Sequence, residues 1–225
     1  MENYLRRAVT AARFRVDRRL DRAAVARAHD VLYGSDAWTK ATWLGAQALK
    51  NPLDLWVYQE IMVETRPELV VETGTYRGGS AFFLASICDL LGEGEVVSID
   101  VEAVRDDYPE HPRITYLGGR SSTDPDVVAE IRSRAEDKRT LVVLDSDHSQ
   151  AHVEAELAAY APLVPVGGYV IVEDSNIGRI RKDLMPGPLE AIEAFLSRTD
   201  HFEVDHEREK FLITFNPSGY LRRVR

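Results

Sequence analysis

Two kinds of hydrophobic pattern divide the chain near residue 67. Before that point, residues 4–32 are rich in Ala, Arg and Leu and lack Gly and Pro, which favours helix. A second helix is predicted in KNPLDLWVYQEIMVETRPE, where Asn51 is the N-cap, Pro52 lies in the first turn and Pro67 follows the end. We therefore predict a helical N-terminal extension or cap that comprises residues 1–66.

From residue 67 onward, short runs rich in Val and Ile alternate with helix-like stretches. This alternation is typical of a parallel sheet that is covered by helices. FEVD and KFLITF are predicted to form an antiparallel pair at one edge of the sheet. The expected architecture is one α/β domain, residues 67–225, with strands in ELVVE, EVVSID, ITYL, TLVVLD and GYVIVED and helices at 79–91, 124–134, 150–161 and 189–197.

Composition adds few constraints to this picture. The 225 residues are 44% hydrophobic and 29% charged, and no apolar run is long enough to span a bilayer, so membrane insertion is not expected. The net charge of −9 argues against general nucleic-acid binding. Residues 1–30 nevertheless carry eight Arg and four acids, and we expect this basic arm to dock on an acidic surface of its own or a neighbouring subunit. With no secretory signal pattern, the expected location is the cytoplasm, and the single Cys88 is expected to be buried and unreactive.

A strand, a glycine turn and a helix follow one another in ELVVE-TGTYRGGS-AFFLASICDLL, which is where an open parallel sheet binds ligands. The spacing of Gly74 and Gly78 is not that of dinucleotide-binding turns, and a nicotinamide oxidoreductase is accordingly disfavoured. The Glu72 carboxylate would repel a pyrophosphate, but it suits S-adenosylmethionine, which carries an ammonium and a sulfonium. Asp100 ends the next strand, where an acid can accept the ribose hydroxyls of an adenosine ligand. The competing interpretation is that both acids only cap turns.

Acidic residues also follow two later strands. TLVVLDSDHS contains Asp145, Asp147 and His148, and GYVIVEDSN contains Glu173 and Asp174. If the two strands are neighbours, these carboxylates converge and repel one another unless a cation is bound, and oxygen ligands without Cys favour Mg²⁺. A metal-bound alcohol is more acidic, and a base could take its proton as the oxygen attacks a methyl group. His148 is favoured as that base, Asp147 is the competitor, and a solvated acidic rim is the alternative to a metal site.

Seven motifs give the chain a family resemblance. NPLDLWVYQEI, ETGTYRGGSA, VVLDSDHS, AELAAYAPLV, GYVIVEDSN, GPLEAIEAFL and KFLITFNPSGYLRR, in this order, closely resemble the cephalosporin hydroxylase/rhamnosyl O-methyltransferase family of bacterial natural-product biosynthesis. The resemblance covers roughly residues 38–223. It implies the Rossmann-like class I methyltransferase fold, in which a seven-stranded, mostly parallel sheet has an antiparallel last strand. It also implies S-adenosylmethionine and Mg²⁺ as cofactors, and a homo-oligomer.

The same resemblance implies roles for the acidic residues. The metal ligands would be Asp145, Glu173 and Asp174, and the base would be Asp147 or His148. An alternative assignment makes Asp147 the ligand, with Asp145 behind it.

For the cofactor, the resemblance implies three groups of residues. Asp100 would bind the ribose, and Ser121 or Ser122 would bind the adenine. The methionine part would be surrounded by Glu72, Gly74, Tyr76, Gly78 and Ser80, with Thr75 in the same turn also a cofactor-binding residue.

We therefore expect a Mg²⁺-dependent O-methyltransferase that acts on a small-molecule acceptor, preferentially a rhamnose-type deoxysugar hydroxyl of a glycosylated natural product. Acceptor choice is expected to depend on the helical N-terminus and on the loop IGRIRKDLMPGP. A hydroxylated β-lactam or a phenol is the alternative acceptor. From another class, the alternative is a non-catalytic S-adenosylmethionine-binding subunit that supports a partner enzyme, although such a binder has no use for the acidic cluster.

Overall fold

The N-terminal part of the chain is less helical than predicted. The computed structural model describes residues 18–225, with side chains from residue 23, and begins with helix α1 (Arg18–Gly34). The predicted helix before Arg18 and most of the basic arm lie outside the described residues. A short 3-10 helix (Ala37–Lys40) and a hairpin of β1 (Thr42–Trp43) and β2 (Ala46–Gln47) follow α1.

The prediction of helix throughout the first 66 residues is wrong over this hairpin. Leu44 and Gly45 form its two-residue turn, and both have positive φ values, 48° and 90°. Such a turn joins antiparallel strands and cannot continue a helix. The division of the chain into an extension and a domain at residue 66 stays a prediction.

Helix α2 (Pro52–Thr65) begins and ends as the sequence predicts. The Asn51 side chain accepts a hydrogen bond from the backbone N–H of Leu53 at 3.1 Å, which satisfies one of the free donors of the first turn. Arg66, in the left-handed conformation, ends the helix before Pro67. The helix packs against α3 (Gly79–Leu91). The apolar residues of α2 that form one buried cluster with residues of α3 are Val57, Tyr58, Ile61 and Met62.

Seven strands form the central sheet. They are β3 (Leu69–Thr73), β4 (Glu95–Asp100), β5 (Ile114–Gly118), β6 (Thr140–Leu144), β7 (Tyr169–Val172), β8 (Phe202–Val204) and β9 (Tyr220–Arg223). Their order is β5-β4-β3-β6-β7-β9-β8, and only β9 runs antiparallel to its neighbours. Helices α2 and α3 cover one face, and α4 (Pro125–Arg134), α5 (Gln150–Tyr160) and α6 (Pro188–Leu196) cover the other. The predicted Rossmann-like α/β fold is confirmed.

The antiparallel edge differs from the prediction in one strand. Phe202–Val204 pairs with Tyr220–Arg223, whereas the segment 210–215, KFLITF, forms no strand although it lies wholly within the described part of the chain. Polar side chains at the start of α2 bind the backbone of this segment instead. Asn51 donates to the carbonyl oxygen of Ile213 at 3.1 Å, and Asp54 accepts from the N–H of Phe215 at 2.9 Å. These side-chain contacts replace the ladder of a strand.

Two further expectations can be compared with the structure. Cys88 is fully buried and unpaired, as expected. Burial raises the pKa of its thiol to about 11, which supports the prediction that it is unreactive. In the described residues, no helix combines the length and the apolar character that crossing a membrane requires.

Candidate active site

A cleft of about 640 Å³ opens at the carboxyl ends of the parallel strands. Strand order reverses at β3, between β4 and β6, which is the position where open α/β sheets bind ligands. The predicted site residues that line the cleft are Gly74, Tyr76, Asp100, Ser121, Ser122, Asp145, Asp147, His148, Glu173 and Asp174. Glu72, Thr75, Gly78 and Ser80 are not among the residues that line it.

The glycine turn after β3 is shaped by close backbone approaches. Gly74 has φ of +88°, and a Cβ there would overlap the carbonyl oxygen of Asp145 on the next strand. Gly78 is the N-cap of α3 and has φ of +73°. A Cβ at Gly79 would overlap the carbonyl oxygen of Gln47, so this glycine accommodates the β1–β2 hairpin. Two glycines are thus required by the turn itself and the third by packing.

Glu72 is fully buried and only partly satisfied. Its Oε2 accepts a hydrogen bond from Ser98 Oγ at 2.7 Å, and Ser98 is in turn 2.8 Å from the Thr75 hydroxyl. Its Oε1 has no hydrogen-bond partner among the described residues. Burial raises the pKa of Glu72, although the nearby Lys50 ammonium opposes this shift. A buried carboxylate with one free oxygen is suited to a cationic or N–H donor.

Asp100 caps the glycine turn and also lines the cleft. Its Oδ2 accepts from the backbone N–H groups of Thr75 at 2.8 Å and Tyr76 at 2.9 Å, and its Oδ1 accepts from that of Glu102 at 2.9 Å. The capping interpretation therefore describes a real contact. Because a carboxylate offers about four acceptor sites, it leaves capacity for a ligand hydroxyl.

Three side chains converge at the far side of the cleft. Ligand atoms of Asp145, His148 and Asp174 all lie within 4.8 Å of one another, and His148 Nε2 is 3.3 Å from Asp174 Oδ2. This convergence follows from the predicted adjacency of β6 and β7, which pair in parallel. Burial and then the Asp145 carboxylate raise the pKa of Asp174 to about 6. The accumulated negative charge is therefore costly, and a bound cation would relieve the cost.

Glu173 points to a different partner from Asp174. Its Oε1 lies 2.7 Å from Nζ of Lys50, which also contacts Oδ2 of Asp145. The side chain of Lys50 is only 4% exposed. Burial alone would lower the pKa of Lys50, but Asp145 and Glu173 outweigh burial and raise it. Lys50 is therefore a buried cation inside the acidic cluster.

Asp147 has its own local role. Its Oδ1 accepts the backbone N–H of Ser149 at 2.7 Å, just before α5 begins. This hydrogen bond lowers the pKa of Asp147. A carboxylate stabilised in this way is a weaker base than an ordinary aspartate.

Ser121 and Ser122 lie at the other end of the cleft, where Ser122 belongs to a buried network. Ser122 Oγ donates to Oε1 of Glu156 at 2.5 Å and lies 3.1 Å from Nε2 of His152. The Ser146 hydroxyl donates to the same Glu156 oxygen at 2.7 Å. Glu156 is fully buried, and its Oε2 has no partner within the described part of the chain. The same Oε1 lies 3.4 Å from His152 Nε2, so one carboxylate contacts three polar side chains that line the cleft.

Aromatic side chains form a wall beside the acidic cluster. Trp38 and Phe215 both line the cleft, with ring centroids 5.4 Å apart and planes at 85°. Tyr33 packs against both rings from behind. Tyr33 belongs to α1, and this helix is in turn bound by a hydrogen bond from Asn176 Nδ2 to His29 Nε2 at 2.5 Å. The N-terminal segment therefore contributes directly to the cleft, and its role in acceptor choice stays a prediction.

Two buried residues of the site are absent from the sequence-based prediction. Lys50 precedes Asp145 by 95 residues, and its only local signal is a charge that ends the apolar run GAQALK. Glu156 had a clearer signal, because it lies on the same helix face as Val153, Leu157 and Tyr160, all of which are buried. A charged residue at such a position requires a polar partner.

Comparison with known proteins identifies the family of the chain. The family described as rhamnosyl O-methyltransferase/CmcI matches residues 35–224. Rhamnosyl O-methyltransferases of Mycobacterium bovis and Mycobacterium leprae are 38% and 37% identical over 204 and 203 residues. Each alignment covers 87% of this chain, with 83% and 88% of the respective relative.

Solved structures of CmcI have the same fold. The apo structure superposes with a TM-score of 0.64 at 26% identity, over 83% of this chain and 77% of that chain. A CmcI structure with magnesium and S-adenosylmethionine gives a TM-score of 0.62 at 24% identity, over 83% and 78%. The chain thus belongs to the rhamnosyl O-methyltransferase/CmcI family, which confirms both the resemblance seen in the sequence and the expected enzyme class, an O-methyltransferase.

Proposed function

We propose that this protein transfers a methyl group from S-adenosylmethionine to a hydroxyl of a glycosylated secondary metabolite in a Mg²⁺-dependent reaction. A rhamnose-type deoxysugar is the favoured acceptor, by analogy with the mycobacterial relatives. The observation that carries the proposal is the convergence of Asp145, His148 and Asp174 beside the Gly74 turn.

The residues around the glycine turn fit S-adenosylmethionine, which supplies an electrophilic methyl group on a sulfonium when bound. Glu72 does not itself line the cleft, but its buried carboxylate, with Oε1 free, places a negative charge behind the turn that suits the ammonium of the methionine part. Asp100 retains acceptor capacity for the ribose, and Ser122, held by Glu156, suits the adenine, with Ser121 beside it. The other proposed cofactor-binding residues belong to the same turn: Gly74, Thr75, Tyr76, Gly78 and Ser80.

The acidic cluster fits a divalent cation, which when bound would polarise the acceptor hydroxyl and increase its acidity. We propose Asp145, Glu173 and Asp174 as its ligands. The raised pKa values of Glu173 and Asp174, caused first by burial and then by Asp145, support this assignment, since each carboxylate would gain from a neighbouring cation. Carboxylate oxygens suit hard divalent ions such as Mg²⁺.

His148 is the proposed base. Its imidazole lines the cleft, where it could accept the proton of a bound hydroxyl, and its Nε2 lies 3.3 Å from Asp174 Oδ2. In the reaction, the acceptor oxygen forms a bond to the methyl carbon while the carbon–sulfur bond breaks and its electron pair stays on sulfur. The hydroxyl proton passes to His148, and Asp147 remains bound to Ser149.

The aromatic wall and an outer cavity are proposed to hold the acceptor. Sugars have apolar C–H faces that pack on aromatic rings, and Trp38 offers such a ring beside the acidic cluster. An adjoining cavity of about 730 Å³ shares Asp147 and His148 with the cleft. Its outer side is lined by Leu184, Met185 and Pro186, which suits the apolar remainder of a metabolite.

Truncation of the wall tests this acceptor site. We expect Trp38→Ala to raise KM for a glycosylated acceptor about tenfold with a smaller effect on kcat, because the stacking contact binds the sugar about equally before and during the reaction. Binding of S-adenosylhomocysteine should be unchanged. Steady-state kinetics and calorimetry provide the two readouts, and an unchanged KM would place the acceptor elsewhere.

Calorimetric titration with S-adenosylhomocysteine, with NAD⁺ as the control ligand, is the first test of the proposed function. We expect binding of the former alone, followed by turnover of rhamnosylated acceptors with Mg²⁺ and none with EDTA. Binding without turnover of any sugar, phenol or β-lactam acceptor in Mg²⁺ would favour the non-catalytic subunit. Binding of NAD⁺ alone would overturn the proposal.

A further inference from the structure

Lys50 is the one buried lysine in the described part of the chain, and the proposed chemistry does not use it. It precedes the N-cap of α2, and its Nζ contacts both Asp145 and Glu173. The ammonium therefore bridges two of the three carboxylates proposed as metal ligands. A lysine at this depth occurs almost only where it is paired.

The charges in this cluster do not balance without a further cation. Asp145, Glu173 and Asp174 carry three negative charges when ionised, and Lys50 carries one positive charge. The partly buried Asp174 is in direct contact with His148 and not with Lys50, so the ammonium offsets its charge only through space. One divalent ion beside Lys50 would make the four side chains neutral as a group, whereas removal of Lys50 would leave the three carboxylates to repel one another.

We infer that Lys50 is a built-in counter-ion of the metal site, which holds Asp145 and Glu173 together before a divalent ion binds and competes with that ion for the two carboxylates. This inference rests on the proposed metal site. It makes Lys50 a positioning residue: its ammonium keeps the acidic strand ends together in the metal-free enzyme, and it limits how tightly the ion binds.

Metal titration of charge variants tests this role. We expect Lys50→Met and Lys50→Gln to bind Mn²⁺, titrated alone by calorimetry, about tenfold more tightly than the wild type, because an opposing charge is removed. Both variants should unfold at a lower temperature than the wild type in EDTA and should gain more from added Mn²⁺. Lys50→Arg, which keeps the charge, should resemble the wild type.

A matched control is Lys210→Met, which removes an exposed lysine that pairs with Glu60 on the surface. It should leave Mn²⁺ affinity unchanged. Equal or weaker Mn²⁺ binding by both neutral variants would overturn the inference while leaving the proposed function intact. Variants that stay unfolded both with and without Mn²⁺ would also overturn it, since a metal ion would then not replace the ammonium. Failure of the wild type to bind Mn²⁺ would instead remove the metal site itself.

Discussion

Asp147 and His148 are neighbours in the chain, but their surroundings fit them for different tasks. The Asp147 carboxylate is stabilised by the N–H of Ser149, which lowers its pKa and fixes the turn before α5. The His148 imidazole, by contrast, lies next to the Asp174 carboxylate in the cleft. The sequence favoured His148 but kept Asp147 as a competitor, because the pattern alone does not show which of the two side chains the local turn engages.

Replacement of each residue in turn should separate the two roles. We expect His148→Ala to reduce kcat by about 10²–10⁴-fold, the usual contribution of a general base, and Asp147→Ala to reduce it less than about tenfold. Calorimetry should show S-adenosylhomocysteine affinity little changed in both variants. If Asp147→Ala shows the larger loss of kcat, the two assignments must be exchanged. Retention of activity in His148→Ala would instead favour a phenolic acceptor, which needs less help from a base.

Glu156 gives a second prediction at the scale of single residues. Glu156→Ala leaves the hydroxyls of Ser122 and Ser146 without their common acceptor, and an unsatisfied buried donor costs about 1–3 kcal/mol. That cost lowers the stability of the fold. Because the Ser122 hydroxyl would also lose the group that holds it in position, we expect S-adenosylhomocysteine to bind about tenfold more weakly. Glu154→Ala, on the same helix but paired with Arg198 at the surface, is the control. Unchanged affinity in the Glu156 variant would separate this network from the cofactor site.

At the scale of elements, the β1–β2 hairpin lies directly on the N-terminus of α3. Gly79 permits this contact, since a Cβ there would overlap the carbonyl oxygen of Gln47. The hairpin in turn precedes Lys50 and follows Trp38, so its position sets both the buried cation and the aromatic wall.

Gly79→Ala should therefore displace the hairpin and lower the free energy of unfolding by about 2 kcal/mol, as overpacking of a tight contact does. Gly34→Ala is the control, because nothing lies within 4 Å of a Cβ added at Gly34. Urea unfolding of both variants measures the difference. Equal stabilities would mean that the hairpin can move without cost.

Elements were predictable from the sequence where local signals and burial agree. Helix α3 spans Gly79–Leu91 as predicted, because a glycine cap precedes a continuous apolar run. The segment 210–215 also looked like a strand, but Asn51 and Asp54, more than 150 residues earlier, bind its backbone. The role of Lys50 could not be predicted for the same reason, because its partners Asp145 and Glu173 are distant in sequence. The position of Asp100, Asp145 and Asp174 at one edge of the sheet could be predicted, because the ends of parallel strands meet there whatever the side chains contact.

At the scale of the whole molecule, a polar network joins the sheet edge to α2. Asp205 accepts hydrogen bonds from the Tyr169 hydroxyl at 2.6 Å and from Arg208 Nε at 3.1 Å, and Arg208 also pairs with Glu64. Burial would raise the pKa of Asp205, but these hydrogen bonds outweigh burial and lower it. The oligomeric state and the cytoplasmic location stay predictions, because a single chain tests neither.

This network predicts a pH dependence of stability. A depressed carboxyl pKa contributes stability above its unfolded value, ordinarily 3.8, and that stability is lost as the pH falls through the folded value. We expect Asp205→Asn to lower the free energy of unfolding by about 1–3 kcal/mol at neutral pH. The difference from the wild type should shrink when urea unfolding is repeated below about pH 3. Asp183→Asn, at an exposed ion pair with Arg181, should change little at either pH, and a pH-independent difference for Asp205→Asn would contradict the expectation.

The contact between Gly74 and the carbonyl of Asp145 has a consequence for how this family can diversify. Because backbone meets backbone there, the spacing between the glycine turn and the acidic strand end is independent of any side-chain rotamer. The walls that we propose for the acceptor come from other segments, around Trp38 and around residues 183–186. Evolution or a protein engineer can therefore rebuild those walls to present a new hydroxyl, while the distance between the glycine turn and the acidic strand end stays constant.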